Sequence, residues 1–149
     1  MIAVICFISL GYFSSSFMEM NNPSHPGINL ATESNCNPLK SRCWAGQDKI
    51  RLGFFLPSQA QYLKPFPVEL NIVGIENTKI KKVSVTFEMS EMDMGINQFF
   101  LKKNEQSQVY IGEAILPICV TGRKDWSAKV MVETEDNRYQ AGFNFSVIK

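Results

Sequence analysis

Three sulfur-bearing side chains in two short stretches are the residues best suited to chemistry here. The first stretch, Glu88-Met89-Ser90-Glu91-Met92-Asp93-Met94-Gly95-Ile96-Asn97, sets Met92 and Met94 two positions apart. In an extended chain they share one face at about 6.5 to 7 Å, with Asp93 on the other. Met89 belongs instead with the inward face of the preceding strand. The second stretch, Leu116-Pro117-Ile118-Cys119-Val120-Thr121-Gly122-Arg123-Lys124-Asp125-Trp126, carries Cys119 at a strand end. Arg123 and Lys124 follow it, and such cations can lower a thiol pKa. Thioether and thiolate donors select Cu(I) over harder divalent ions, so Met92, Met94 and Cys119 are a candidate metal set. The competing role is packing: Met fills core gaps and lines partner surfaces, and an unpaired Cys is commonly an inert buried group. Trp126 reads as core and Asp125 as a turn residue. Whether the two stretches meet depends on strand order, since the loops of a sandwich gather at its two ends.

Most other chemistry is excluded. His25 is the only histidine, so a His-rich metal site lacks donors. A Ser-His-Asp arrangement would have to recruit it from a polar N-terminal stretch. No phosphate-cradling GxxxxGK[ST], dinucleotide GxGxxG, HExxH, GxSxG or CxxCH run occurs. CxxC is missing too, and no carboxylate pair stands out for glycosidase-type roles. The chain is therefore expected not to be an enzyme. Its 15 basic and 14 acidic residues give a net charge of +1 with no basic run. That balance offers neither a nucleic-acid groove nor a polybasic membrane patch.

Residues 1–17 contain no charged side chain, and the apolar run Ile2 to Phe13 has the length of a signal-peptide core, with Ser14 to Ser16 after it. They are expected to be a signal peptide or an N-terminal membrane anchor, against the alternative of a buried element in a cytosolic protein. As a span the stretch is marginal, because crossing takes about 17 to 25 residues. Export would place the domain in the periplasm, soluble or anchored to the inner membrane, where disulfides persist. There Cys36 and Cys43 can close a small loop, contributing about 2.5 kcal/mol through chain entropy. A metal-binding cysteine pair is the other possibility. Residues 18–43 are expected to be a linker that carries this pair; from Asn21 to about Ser41 the chain is short of apolar residues and rich in Asn, Pro and Ser.

Residues 44–149 are expected to be one β-sandwich domain. Period-two alternation recurs and no 3.6-residue periodicity is sustained. Ile50 to Leu56, Phe66 to Ile72, Val83 to Met89, Asn97 to Lys103, Val109 to Leu116, Trp126 to Val132 and Tyr139 to Val147 read as seven strands. Asp136-Asn137 is a tight hairpin signal between the last two. Seven short strands with no helix to cover a parallel sheet predict an all-β fold: an antiparallel, seven-stranded immunoglobulin-like β-sandwich preceded by an N-terminal hydrophobic leader. A small barrel is the alternative.

Several fragments occur in a suggestive order: the Cys36/Cys43 lead, Leu56-Pro57, MDMG at Met92 to Gly95, Tyr110 to Gly112, and LPICVTGRKDW at Leu116 to Trp126. Together they resemble small exported bacterial proteins of the FixH-like and YtkA-like β-sandwich type, over about Cys36 to Phe145. The resemblance implies an accessory of copper delivery and cytochrome oxidase assembly, whose partner would be a membrane respiratory complex or a copper-delivery protein. Having no His near its Met cluster, this chain departs from copper chaperones with better-defined sites, which leaves Cu(I) as the ion. The expectation is a possible Cu(I) cofactor on Met92, Met94 and Cys119. A non-catalytic envelope interaction module without metal is the alternative.

Overall fold

The computed structural model describes residues 27–57, 60–92, 95–118 and 121–147. The expected leader, Met94 and Cys119 lie outside the described residues. The described residues form eleven strands: β1 (Gly27–Asn29), β2 (Ala31–Thr32), β3 (Cys43–Gln47), β4 (Ile50–Phe55), β5 (Phe66–Val73), β6 (Ile80–Glu88), β7 (Gln98–Phe100), β8 (Lys102–Lys103), β9 (Tyr110–Ala114), β10 (Asp125–Thr134) and β11 (Arg138–Ser146). A 3-10 turn over Asn77–Lys79 leads into β6.

Alternation decides the inner face of each long strand. Trp126, Ala128, Val130 and Val132 of β10 are buried, as are Tyr139, Ala141, Phe143 and Phe145 of β11, while Lys129, Gly142 and Asn144 face out. Val83, Val85 and Phe87 of β6 continue into buried Met89. The strands form two sheets, ordered β1-β11-β10-β6-β7 and β2-β3-β4-β5-β9-β8, and every pairing except β1 with β11 is antiparallel. Their inner faces meet in one core: Phe54 of β4 stacks on Phe143 of β11 with ring centroids 5.1 Å apart, and Phe66 of β5 meets Phe87 of β6 edge-on at 5.7 Å. Such packing of two inner faces excludes water from both and supplies most of the fold's stability.

Both flanks are closed by a strand that changes sheet. β1 pairs with β11, and after Leu30 the chain continues as β2 against β3. On the other flank β7 pairs with β6, and after Leu101 it continues as β8 against β9. Leu30 and Leu101 are 6% and 5% exposed, so each plugs the side of the core at the crossing. The segment Asn97 to Lys103, expected as one strand, is thus two. Short, switching edge strands also leave little open edge for another chain to pair with.

Strands β1, β2 and β3 were not expected, the first two lying within the stretch read as a linker. Three- and two-residue strands are too short to show a period, and they form because β11 and β3 offer unpaired edges. β3 does alternate, with Cys43 and Ala45 inward, but small side chains give a faint hydrophobic signal. Cys36 and Cys43 are disulfide-bonded, their Cα atoms 5.6 Å apart. The expected hairpin at Asp136-Asn137 is present, closed by Thr134 N–H donating to Asn137 O at 2.8 Å.

Candidate functional site

Pairing direction gives the molecule two ends. The turns after β3, β5, β8 and β10 lie at one; at the other lie the disulfide loop 33–42 and the loops 56–65, 89–97 and 115–124. The stretches carrying the candidate sulfur residues therefore leave their strands at the same end. Direct contacts bind these loops. Leu63 N–H donates to Leu116 O at 2.9 Å, and Leu56 N–H donates to Pro38 O at 2.9 Å.

Around Met92 the chain is not extended. It turns at Ser90 and Glu91, with Glu91 in the left-handed region at φ 62°, and Met92 N–H donates back to Met89 O at 3.3 Å. Met89 and Met92 consequently face each other as a bridge pair. Met89 is buried and Met92 is half-buried against the core. Asn97 closes the base of the loop: its O accepts from Phe87 N–H at 3.0 Å and its Nδ2 donates to Phe87 O at 3.2 Å. Of the three predicted site residues, only Met92 is within the described set; Met94 and Cys119 are outside it.

Sequence reasoning named Arg123 as a cation near Cys119 but not as the residue that joins these loops. Arg123 forms a two-pronged ion pair with Asp125, Nε to Oδ1 at 3.1 Å and Nη2 to Oδ2 at 2.5 Å. Its Nη1 donates to Ser90 O at 2.9 Å, across 33 positions of sequence. A guanidinium that forks onto a carboxylate has its plane fixed, so the remaining N–H groups have a set direction. The backbone is held as well. Tyr62 O–H donates to Arg123 O at 3.0 Å, and the Tyr62 oxygen accepts from the buried Trp126 Nε1 at 3.4 Å. Arg123 thus links three loops to the start of β10. The hydrogen bonds and charge of Arg123 hold the Asp125 carboxyl below its usual range, helped by a backbone bond of Asp125 itself. The sequence signals were the charge of Arg123 close after Cys119 and its position in the LPICVTGRKDW fragment; Tyr62 gave none.

Beside this network is a polar cavity of about 400 Å³, lined by Asn37, Ser90, Asp125, Ser127, Asn144 and Ser146 among others. Asn37 belongs to the disulfide loop, so the cavity lies between that loop and the ends of β10 and β11. Three loops at this end also display apolar side chains: Leu63 is 61% exposed, Ile96 fully exposed and Ile118 57% exposed. Leu63 adopts φ 58°, a conformation a branched side chain rarely takes. Among the described residues no three His, Cys, Asp or Glu side chains gather as a metal-binding group, and no helix is long and apolar enough to cross a membrane. Thioethers are outside that donor set. No known protein-family model matches the chain, and no curated protein does.

Proposed function

We propose that this is an exported or membrane-anchored, non-enzymatic accessory protein that binds Cu(I) at the loop-bearing end of an immunoglobulin-like sandwich. Met92, Met94 and Cys119 would be its donors. In that reading β4, β5, β9 and β8 correspond to the first sheet of an immunoglobulin-like domain, and β6, β10 and β11 to the second, with β7 added beside β6. Strands β1 to β3 are then an N-terminal addition stapled by the disulfide. A periplasmic location, and a role in supplying copper to a respiratory oxidase or copper-delivery partner, follow from the leader pattern and the family resemblance.

The observation that carries the copper reading is the Arg123 to Ser90 bond, which ties the Met92 turn to the segment running from Cys119 into β10. Soft donors on two segments tied in this way suit Cu(I), which tolerates low coordination by sulfur. The test is Cu(I) titration of the purified protein under anaerobic conditions. About one equivalent should bind, and Met92→Leu with Met94→Leu should abolish binding without unfolding the domain, the exchange being nearly isosteric. Unchanged affinity in the double variant overturns the reading.

A second reading is favoured by two observations. Met92 packs against the core, and Leu63, Ile96 and Ile118 are exposed at the same end. Here the loops are a protein-binding surface without metal, since grouped exposed apolar side chains mark interaction sites. Cu(I) titration separates the two.

A further inference from the structure

We infer that the open edge of β11 at Asn144 and Ser146, with the cavity beside it, is a docking site for an extended, uncharged peptide segment of another protein, which adds to the sheet alongside β11. Copper binding is not required for it. Val147 N–H donates to Lys124 O at 3.0 Å, which fixes the direction of the backbone groups of β11. Neighbouring residues of a strand turn their N–H and C=O groups to opposite edges. Phe143 and Phe145 therefore bond to β10, while Gln140, Gly142, Asn144 and Ser146 point away from it. Strand β1 takes up that outer edge only as far as Gln140, whose O accepts from Leu30 N–H at 2.8 Å. Thr32 Oγ1 then donates to Gly142 O at 2.8 Å. Beyond it, no described residue bonds to the backbone N–H or C=O of Asn144 or Ser146.

This stretch has none of the usual guards of a sheet edge. Ala141 to Val147 contains no charged residue and no Pro, either of which discourages strand pairing. Its register with β10 runs without a bulge from Ser146 to Arg138. There is also space beside it: the cavity of about 400 Å³ lies between Asn37 of the disulfide loop and Asn144 and Ser146. That volume is within the range of ligand pockets, about 300 to 1,000 Å³. Asn144 and Ser146 stand two positions apart, about 6.5 to 7 Å, which is the repeat at which a paired strand makes its bonds. Asp125, the one charged residue lining the cavity, is already paired with Arg123, so the other polar walls are hydroxyls and amides suited to small uncharged side chains. The row of backbone donors and acceptors favours a peptide over a saccharide. Trp126 and Phe145, the rings in the lining, are 2% and 5% exposed and offer a sugar no open face to stack on.

The test uses the full chain and, as probe, the capped peptide acetyl-Thr-Val-Thr-Val-Thr-amide, which is uncharged and favours an extended backbone. Main-chain bonds carry the affinity in this mode of recognition, so the probe need not match a natural partner in sequence. Millimolar peptide should shift the amide resonances of Asn144 and Ser146 and slow their hydrogen exchange about tenfold, while Phe143 and Phe145, already bonded to β10, stay unchanged. The same peptide N-methylated throughout has no N–H to donate and should bind at least about tenfold more weakly. Ser146→Pro removes an N–H from the open edge and none from the β10 ladder, and should also weaken the peptide about tenfold. If that variant unfolds, the methylated peptide decides by itself. Absence of shifts at Asn144 and Ser146, or shifts that the methylated peptide reproduces, overturns the inference. Maltose moving these amides where the peptide does not would overturn it in favour of a saccharide site. Concentration-dependent dimerisation in sedimentation that Ser146→Pro abolishes would overturn it in favour of a second copy of this chain.

Discussion

At the scale of single residues, one ion pair serves two ends at once, orienting Arg123 and linking stability to pH. Asp125 is held below its usual range first by the side-chain bond from Arg123, then by a backbone bond, then by charge. Glu135 at the opposite end is lowered in the same way by Lys81. A carboxylate whose folded pKa is depressed stabilises the fold above its unfolded pKa, about 4, and that contribution fades as pH falls through the folded value. Both groups are exposed, so each effect is small and screened by salt. Thermal midpoints measured from pH 7 down to pH 3 should fall less steeply for Asp125→Asn and for Glu135→Gln than for the wild type. Only Asp125→Asn should also loosen the Met92 turn, read by amide exchange at pH 7. Equal loosening by Glu135→Gln would show that general destabilisation, rather than the Arg123 bond to Ser90, governs that turn. Little of this was legible in the sequence. The Met and Cys stretches were identifiable from residue type, but a guanidinium bonded to a carbonyl 33 positions away leaves no motif.

At the scale of elements, the strand that changes sheet at Leu101 is the most informative piece of the fold. Its Asn97 to Lys103 alternation predicted a strand but could not reveal the switch, because Leu101 faces the core on either account. The six other expected strands are long enough for their period to be read, which is why they were legible; β1 and β2 gave no such signal. What seats the switch is Gly112 of β9: a Cβ there would come within 2.7 Å of Leu101 Cδ2 and 2.9 Å of Phe100 O. Leu101→Ala should cost about 2 to 4 kcal/mol by opening a cavity on the flank. Gly112→Ala should cost about 1 to 3 kcal/mol by overpacking. Because the two atoms that clash belong partly to Leu101, the double variant should be less destabilised than the sum of the singles, measured by urea unfolding. The relief is incomplete, since the Phe100 carbonyl remains in the way.

At the scale of the whole molecule, Gly27 joins the sheet beside Arg138, at the hairpin end. The candidate site is at the other end, the length of β10 away, about 33 Å for ten residues. The disulfide acts at the site end. It closes the loop from Cys36 to Cys43, whose Pro38 O caps the end of β4 through Leu56 N–H and whose Asn37 lines the cavity. Cys36 and Cys43 are bonded to each other, and Cys6 and Cys119 lie outside the described residues. With those two carrying thiols, titration of the oxidised, denatured protein should find two free groups in the intact chain and one where residues 1–17 have been removed. The same count thus tests the bond and the fate of the leader. Reduction should lower stability by about 2.5 kcal/mol, the entropy of so small a loop, and shift the thermal midpoint down by about 10 °C. With Cys43 fully buried beside Phe54 and Cys36 half-buried against the core, attack by a reductant should be hindered until that edge opens. The rate at which a mild reductant attacks should therefore rise with urea well below the global unfolding midpoint. A rate independent of urea in that range would place the bond outside the cooperative fold and remove the argument that it braces the site end.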